Sequence, residues 1–144
     1  MTAIMTATPS LALSGGTVTG NITENGHLQF GGTTPSAAAG GNAGGSPPAP
    51  VLTTGSNDGA GNITFGTGTT PGAGTMVQVT FNTAWVIPGG GAPHIVVTPA
   101  NAATQALGPY VSGQSPTGFG LSVASAPAAS QANTTYSFNY VVMG

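Results

Sequence analysis

Hydrophobic and polar residues alternate with a period of two along much of the second half of the chain. Segment 136–143 reads YSFNYVVM and sets Tyr136, Phe138, Tyr140 and Val142 on one side. Segment 119–123 (FGLSV) does the same with Phe119, Leu121 and Val123. Segment 76–81 (MVQVTF) sets Val77, Val79 and Phe81 on one face and Met76, Gln78 and Thr80 on the other. Segment 62–66 (NITFG) aligns Ile63 with Phe65. Successive side chains of a strand point to opposite faces, so these are strands with one face buried. Shorter runs at 95–98 (IVVT) and 110–114 (YVSGQ) read as further strands, and 17–23 (TVTGNIT) alternates weakly.

Each run is bounded by turn chemistry: Asn57-Asp58-Gly59, Pro71-Gly72, Pro88-Gly89-Gly90-Gly91, Pro116-Thr117-Gly118 and Pro127. Glycine supplies positive φ and proline presets the first turn position. No long helical period is present. Segment 100–107 (ANAATQAL) holds good helix formers and can make a single turn, with a loop as the plainer reading. Short strands separated by turns predict an all-β, antiparallel, six- or seven-stranded sandwich.

Composition changes this picture in two ways. Glycine (25) and proline (12) crowd residues 31–62 (GGTTPSAAAGGNAGGSPPAPVLTTGSNDGAGN), a density expected of a linker. The predicted organisation is therefore an extended N-terminal attachment segment at 1–32, a Gly/Pro/Ala-rich linker at 33–56, and a β head at 57–144. The second change is charge. Of 144 residues, 1% are charged, with no Lys, Arg or Cys; the acids are Glu24 and Asp58 and the histidines are His27 and His94.

That inventory excludes whole classes of function. Without Lys or Arg the chain cannot neutralise phosphates by releasing counterions, so nucleic-acid binding is not expected. It has no P-loop lysine, no arginine fork and no polybasic patch for an anionic membrane. Without cysteine there is no disulfide, thiol nucleophile or thiolate metal ligand. No segment holds the ~20 apolar residues that span a bilayer. The first thirteen residues lack a basic region and a long apolar run, so they do not read as a signal peptide. Solubility falls to Thr, Ser, Asn and Gln. So little charge, over a head near the lower size limit for a stable core, predicts self-association.

Two stretches carry a resemblance. LSGGTVTGNI at 13–22 resembles shaft and collar segments of bacteriophage tail fibres, where three chains wrap together. Within 57–144, the succession NITFGTGTTP, VQVTF, IVVTPAN, TGF and TYSFNYVVMG resembles a C-terminal head domain of phage fibres, similar in pattern to H-type lectin sandwiches. The resemblance implies a trimeric β-sandwich head on a virion, with 1–32 contacting a phage capsid or tail protein. It implies a non-enzymatic short fibre or capsid decoration protein without a cofactor, located on the virion surface. The initial Met and short length suit a complete miniature of anchor, spacer and head. Tyr140 stands where the lectin pattern usually has Trp, so sugar recognition is not carried over by the resemblance. The alternatives are a receptor-binding tail-fibre tip that grips host surface glycan, and a secreted bacterial surface or matrix protein.

Trp85 and Tyr110 are the candidates for stacking on a sugar face, with Trp85 favoured as an interface residue. Phe65, Val79, Phe81, Phe119, Phe138 and Tyr140 are expected in the core or the trimer interface. His27 can recur three times around an axis and bind a metal, against the plainer reading of a turn histidine; no metal is expected. His94 falls at a loop rim. Glu24 and Asp58 are too far apart in sequence to suggest a glycosidase pair, and Asp58 reads as a turn residue. No Gly-x-Ser-x-Gly elbow is present, so no catalytic residue is expected.

Overall fold

A computed structural model describes residues 29–132 and 134–144. The expected strand at 17–23, Glu24, His27 and most of the 1–32 segment lie outside them. The described residues form eight strands: β1 (Ser36–Ala39), β2 (Val51–Leu52), β3 (Ala60–Phe65), β4 (Gly74–Thr80), β5 (His94–Pro99), β6 (Pro109–Ser115), β7 (Gly118–Val123) and β8 (Tyr136–Met143), with one short helix, α1 (Ala102–Gln105). They make two four-stranded sheets, in the orders β1-β4-β7-β6 and β2-β3-β8-β5. Every pairing is antiparallel. The fold is all-β, compatible with a β-sandwich.

The alternation seen in the sequence builds the core. Tyr136, Phe138, Tyr140 and Val142 of β8 join Phe119, Leu121 and Val123 of β7 in one buried cluster with Ile63, Phe65, Val77, Val79 and Phe81. Aromatic rings bridge the sheets: Phe119 lies 5.7 Å from Tyr140 across the interior and 5.7 Å from Phe81. Phe138 stacks on Phe65 at 5.4 Å, with ring planes 7° apart. The six side chains expected in a core or trimer interface are thus all buried within one chain.

Three expectations are corrected. Met76 does not face outward with Gln78 and Thr80; it is fully buried. The register of β4 against β7 shifts between Thr75 and Val77, and this bulge turns Met76 and Val77 inward together. The strands number eight rather than six or seven, because β1 and β2 lie inside the stretch read as a linker. That stretch, 33–56, is no free spacer. Ala43 is fully buried, and Gly45 bridges to Thr69 through two hydrogen bonds of 2.8 and 2.9 Å.

Its glycines serve close packing of backbone rather than flexibility. A Cβ on Gly68 would collide with the Gly45 carbonyl, and one on Gly40 with the Thr75 carbonyl. Only a residue without a side chain lets these backbones approach. Helix α1 realises the single turn available in ANAATQAL. Asn101 caps it, its Oδ1 accepting from the Thr104 backbone N–H at 2.9 Å. Thr104 Oγ1 then accepts from the Ser137 N–H at 2.8 Å, which ties the turn to β8.

Candidate functional site

The turn between β2 and β3 is built on Asn57. Its Oδ1 accepts from the N–H groups of Gly59 and Ala60 at 2.9 and 3.1 Å, an Asx turn. Its Nδ2 donates to the Phe30 carbonyl at 2.8 Å, and the Phe30 ring lies over Gly59 where a Cβ would clash. Two residues before the end of the β8 alternation, the Tyr140 hydroxyl donates to the Asn57 carbonyl at 2.6 Å. Ser56 Oγ accepts from the Asn62 N–H at 3.2 Å. Together these bonds hold open a cavity of about 390 Å³ between the turn, β3 and residues 29–30.

The cavity lining is uncharged and mixes polar groups with a larger share of apolar surface. Thr53, Thr54 and Ser56 supply hydroxyls, Gln29, Asn57 and Asn62 supply amides, and Phe30 supplies an aromatic wall. Asn62 is largely engaged already: its Nδ2 lies 2.9 Å from Ser137 Oγ, from the Phe138 carbonyl and from Asn139 Oδ1. Such a surface can exchange hydrogen bonds with a neutral polyhydroxy ligand. It offers no base or nucleophile of unusual reactivity.

The ionisation of the Tyr140 phenol is displaced. Burial, and secondly the nearby Asp58 carboxylate, raise its phenol well above the ordinary value of 10.0. The folded value lies above the unfolded one, so the native state favours the neutral phenol. That stabilisation is fully present below about pH 10 and is lost as pH rises beyond it. Tyr140→Phe is expected to lower stability by about 1–2 kcal/mol at neutral pH, since it leaves the Asn57 carbonyl without its donor. Urea titrations at pH 7 and pH 11 check this: the gap between wild type and variant should shrink at the higher pH.

Asp58 does more than make a turn. Its Oδ1 accepts from the Asn82 N–H at 2.8 Å and its Oδ2 from the Thr83 N–H at 2.9 Å. The carboxylate thereby anchors the chain just after β4 to the turn before β3. Bonds to an ionised acceptor are stronger than neutral ones. Asp58→Ala is expected to cost about 1.5–3 kcal/mol, measured by chemical denaturation, with Asp58→Asn losing less.

The two residues expected to contact sugar are not brought together. Tyr110 is 45% exposed on the outer face of β6, opposite Ser122 in register. Beside it Ser112 Oγ and Ser122 Oγ lie 2.6 Å apart, and Thr75 Oγ1 lies 3.1 Å from Ser122 Oγ. Trp85 is half-buried, its backbone N–H donating to the carbonyl of Pro116, just past the far end of β6. β6 is bulged between Ser112 and Ser115, and along the paired β7 four residues, Ser122 to Gly118, separate those levels, about 13 Å. The Trp85 ring packs edge-on against Phe81 at 6.3 Å, and its buried Nε1 has no acceptor among the described residues. Neither aromatic lines the cavity.

His94 is exposed at the start of β5, opposite Met143. Among the described residues, no group of three or more His, Cys, Asp or Glu side chains could hold a metal ion. Among them, too, no helix is long and apolar enough to cross a membrane. The cavity itself was not anticipated from the sequence. The one available signal was the Asn57-Asp58-Gly59 turn, but the part played by Phe30 depends on a contact across 27 residues. Comparison with family models, with curated proteins and with solved structures finds no match.

Proposed function

We propose that the chain is a non-enzymatic structural protein of a bacteriophage particle, a short fibre or capsid decoration protein that displays its β fold on the virion surface. The observation that carries the reading is the chemistry of the polar groups. The only carboxylate side chain among the described residues, Asp58, spends both oxygens on backbone N–H groups. Other polar side chains, among them Asn57, Asn62, Thr67 and Asn101, tie turns and strands together. This chemistry fits a display body better than a reactive centre. The fibre-head resemblance is the second support, since its segments fall on β3, β4, β5, β7 and β8. In this reading three copies assemble, and the N-terminal segment meets a capsid or tail protein.

Antibody-gold labelling of purified particles in the electron microscope tests it. Labels at a fixed position on the particle are expected; particles that carry none of the protein would reject the proposal. The second reading, recognition of host surface glycan, is favoured by the neutral hydroxyl- and amide-lined cavity beside Phe30. A glycan array probed with the whole protein separates the two, and loss of a signal on Asn57→Ala would locate it in the cavity.

A further inference from the structure

Two four-stranded sheets leave four edge strands, and three of them are blunted. β2 is two residues long and β1 four. β6 shifts register between Ser112 and Ser115, with Gly113 at φ +54°. Short edges and bulges are devices that stop a sheet from adding another strand. β5 has none of them: it runs six residues in unbroken register against β8, without a charged side chain.

The hydrogen-bond phase shows which of its groups are free. The Val142 N–H donates to the Gly59 carbonyl, toward β3, and the Ala100 N–H donates to the Ser137 carbonyl, from the β5 side. Even-numbered residues of β8 therefore bond to β3 and odd-numbered ones to β5. In antiparallel pairing only alternate residues bond to a given neighbour. On β5 these are His94, Val96 and Thr98. The N–H and C=O groups of Ile95 and Val97 point away from the sheet, with no partner among the described residues.

We propose that β5 pairs with β5 of a second copy, antiparallel about a two-fold axis at Val96, because the free groups of Ile95 and Val97 complete one another only in that register. The Ile95 N–H then donates to the carbonyl of Val97 of the partner subunit, and its carbonyl accepts in return. The axis repeats the exchange, giving four bonds. Proline lies three positions to either side of Val96, at Pro93 and Pro99. In this register the two prolines oppose each other, and neither has an N–H to offer, so pairing stops there.

The side chains suit the same contact. Val96 is 50% exposed on the outer face, flanked on β8 by Val141 and Met143 at 37% and 50%. Pairing joins two such patches across the axis. With a formal charge of -2 and no Lys or Arg in the whole chain, two copies approach with little repulsion, and no Lys or Arg is there to recruit an acidic partner. The contact does not depend on the virion reading.

The register predicts cross-links in a chain that has no native cysteine. Val96 opposes its equivalent as a non-hydrogen-bonded pair, about 4.5 Å between Cα atoms, within disulfide reach. Full-length V96C under mild oxidation is expected to form a disulfide dimer on the order of tenfold faster than V51C, which places an exposed thiol on the opposite edge of the same sheet. H94C mixed with T98C should link, while each by itself should not. V96K should halve the mass seen by light scattering, with an unchanged circular dichroism spectrum. Wild type should scatter as six chains where three copies also assemble, and as two where that trimer does not form. A wild-type mass of one or three chains, or equal linking of V96C and V51C, overturns the proposal. Occupation of the edge by another segment of the same chain gives that overturning result. Labelling of particles is unaffected by either outcome, so failure of this pairing and failure of the virion reading are told apart.

Discussion

Phe119→Ala is expected to lower the unfolding free energy by about 3–5 kcal/mol, the cost of truncating a fully buried aromatic. Phe119 is where the two sheets meet, touching Phe81 on one side and Tyr140 on the other. Its position on β7, the central strand between β4 and β6, leaves little freedom to collapse into the cavity. A domain of this size has about 5–15 kcal/mol of stability in all, so the variant should unfold at far lower urea concentration or fail to accumulate. A loss below about 1 kcal/mol would mean that the interior is loosely packed and that this account of the core is wrong.

Two adjacent glycines should give opposite results. Gly40→Ala is expected to destabilise by about 1–3 kcal/mol, because the new methyl runs into the Thr75 carbonyl, whose backbone is held in β4. The Gly40 N–H also donates to the Met76 carbonyl at 2.8 Å, so the segment cannot simply swing away. Gly41→Ala meets nothing within 4 Å. Its effect should fall within about 0.5 kcal/mol, as at an ordinary surface position. Urea denaturation of both variants decides whether 33–56 is packed onto the sheets or tethers them: a tether tolerates both changes equally.

Much of the sheet could be read from the chain because burial on one face imposes a period of two. Tyr136, Phe138, Tyr140 and Val142 alternate with Ser137, Asn139, Val141 and Met143, and burial follows that alternation. β7 could be read through the alternation of Phe119, Leu121 and Val123 with small residues, although every one of its residues is buried and burial there marks both faces. β1 could not. Its sequence, SAAA, has no alternation, and its pairing with Val77 and Val79 is decided by β4. The period of two sets Met76 on the outer face, whereas a bulge, which leaves no mark in the residue pattern, changes the phase of the strand and turns this side chain inward. The cavity was hidden for a related reason: Phe30 and Tyr140 lie far from Asn57 in sequence and meet it only through long-range bonds.

The amino-acid sequence by itself determined an antiparallel all-β chain, the identity of its main core side chains, and the absence of Lys, Arg and Cys chemistry. These follow from residue type and from periods of a few positions, which survive whatever the chain does at long range. Tertiary structure decided the rest: that Gly40 and Gly68 are packing contacts, that the Asp58 carboxylate grips residues 82 and 83, and that β5 is the edge left open. Each of these depends on which backbone lies beside which, and that is fixed by pairings between residues remote from one another along the chain.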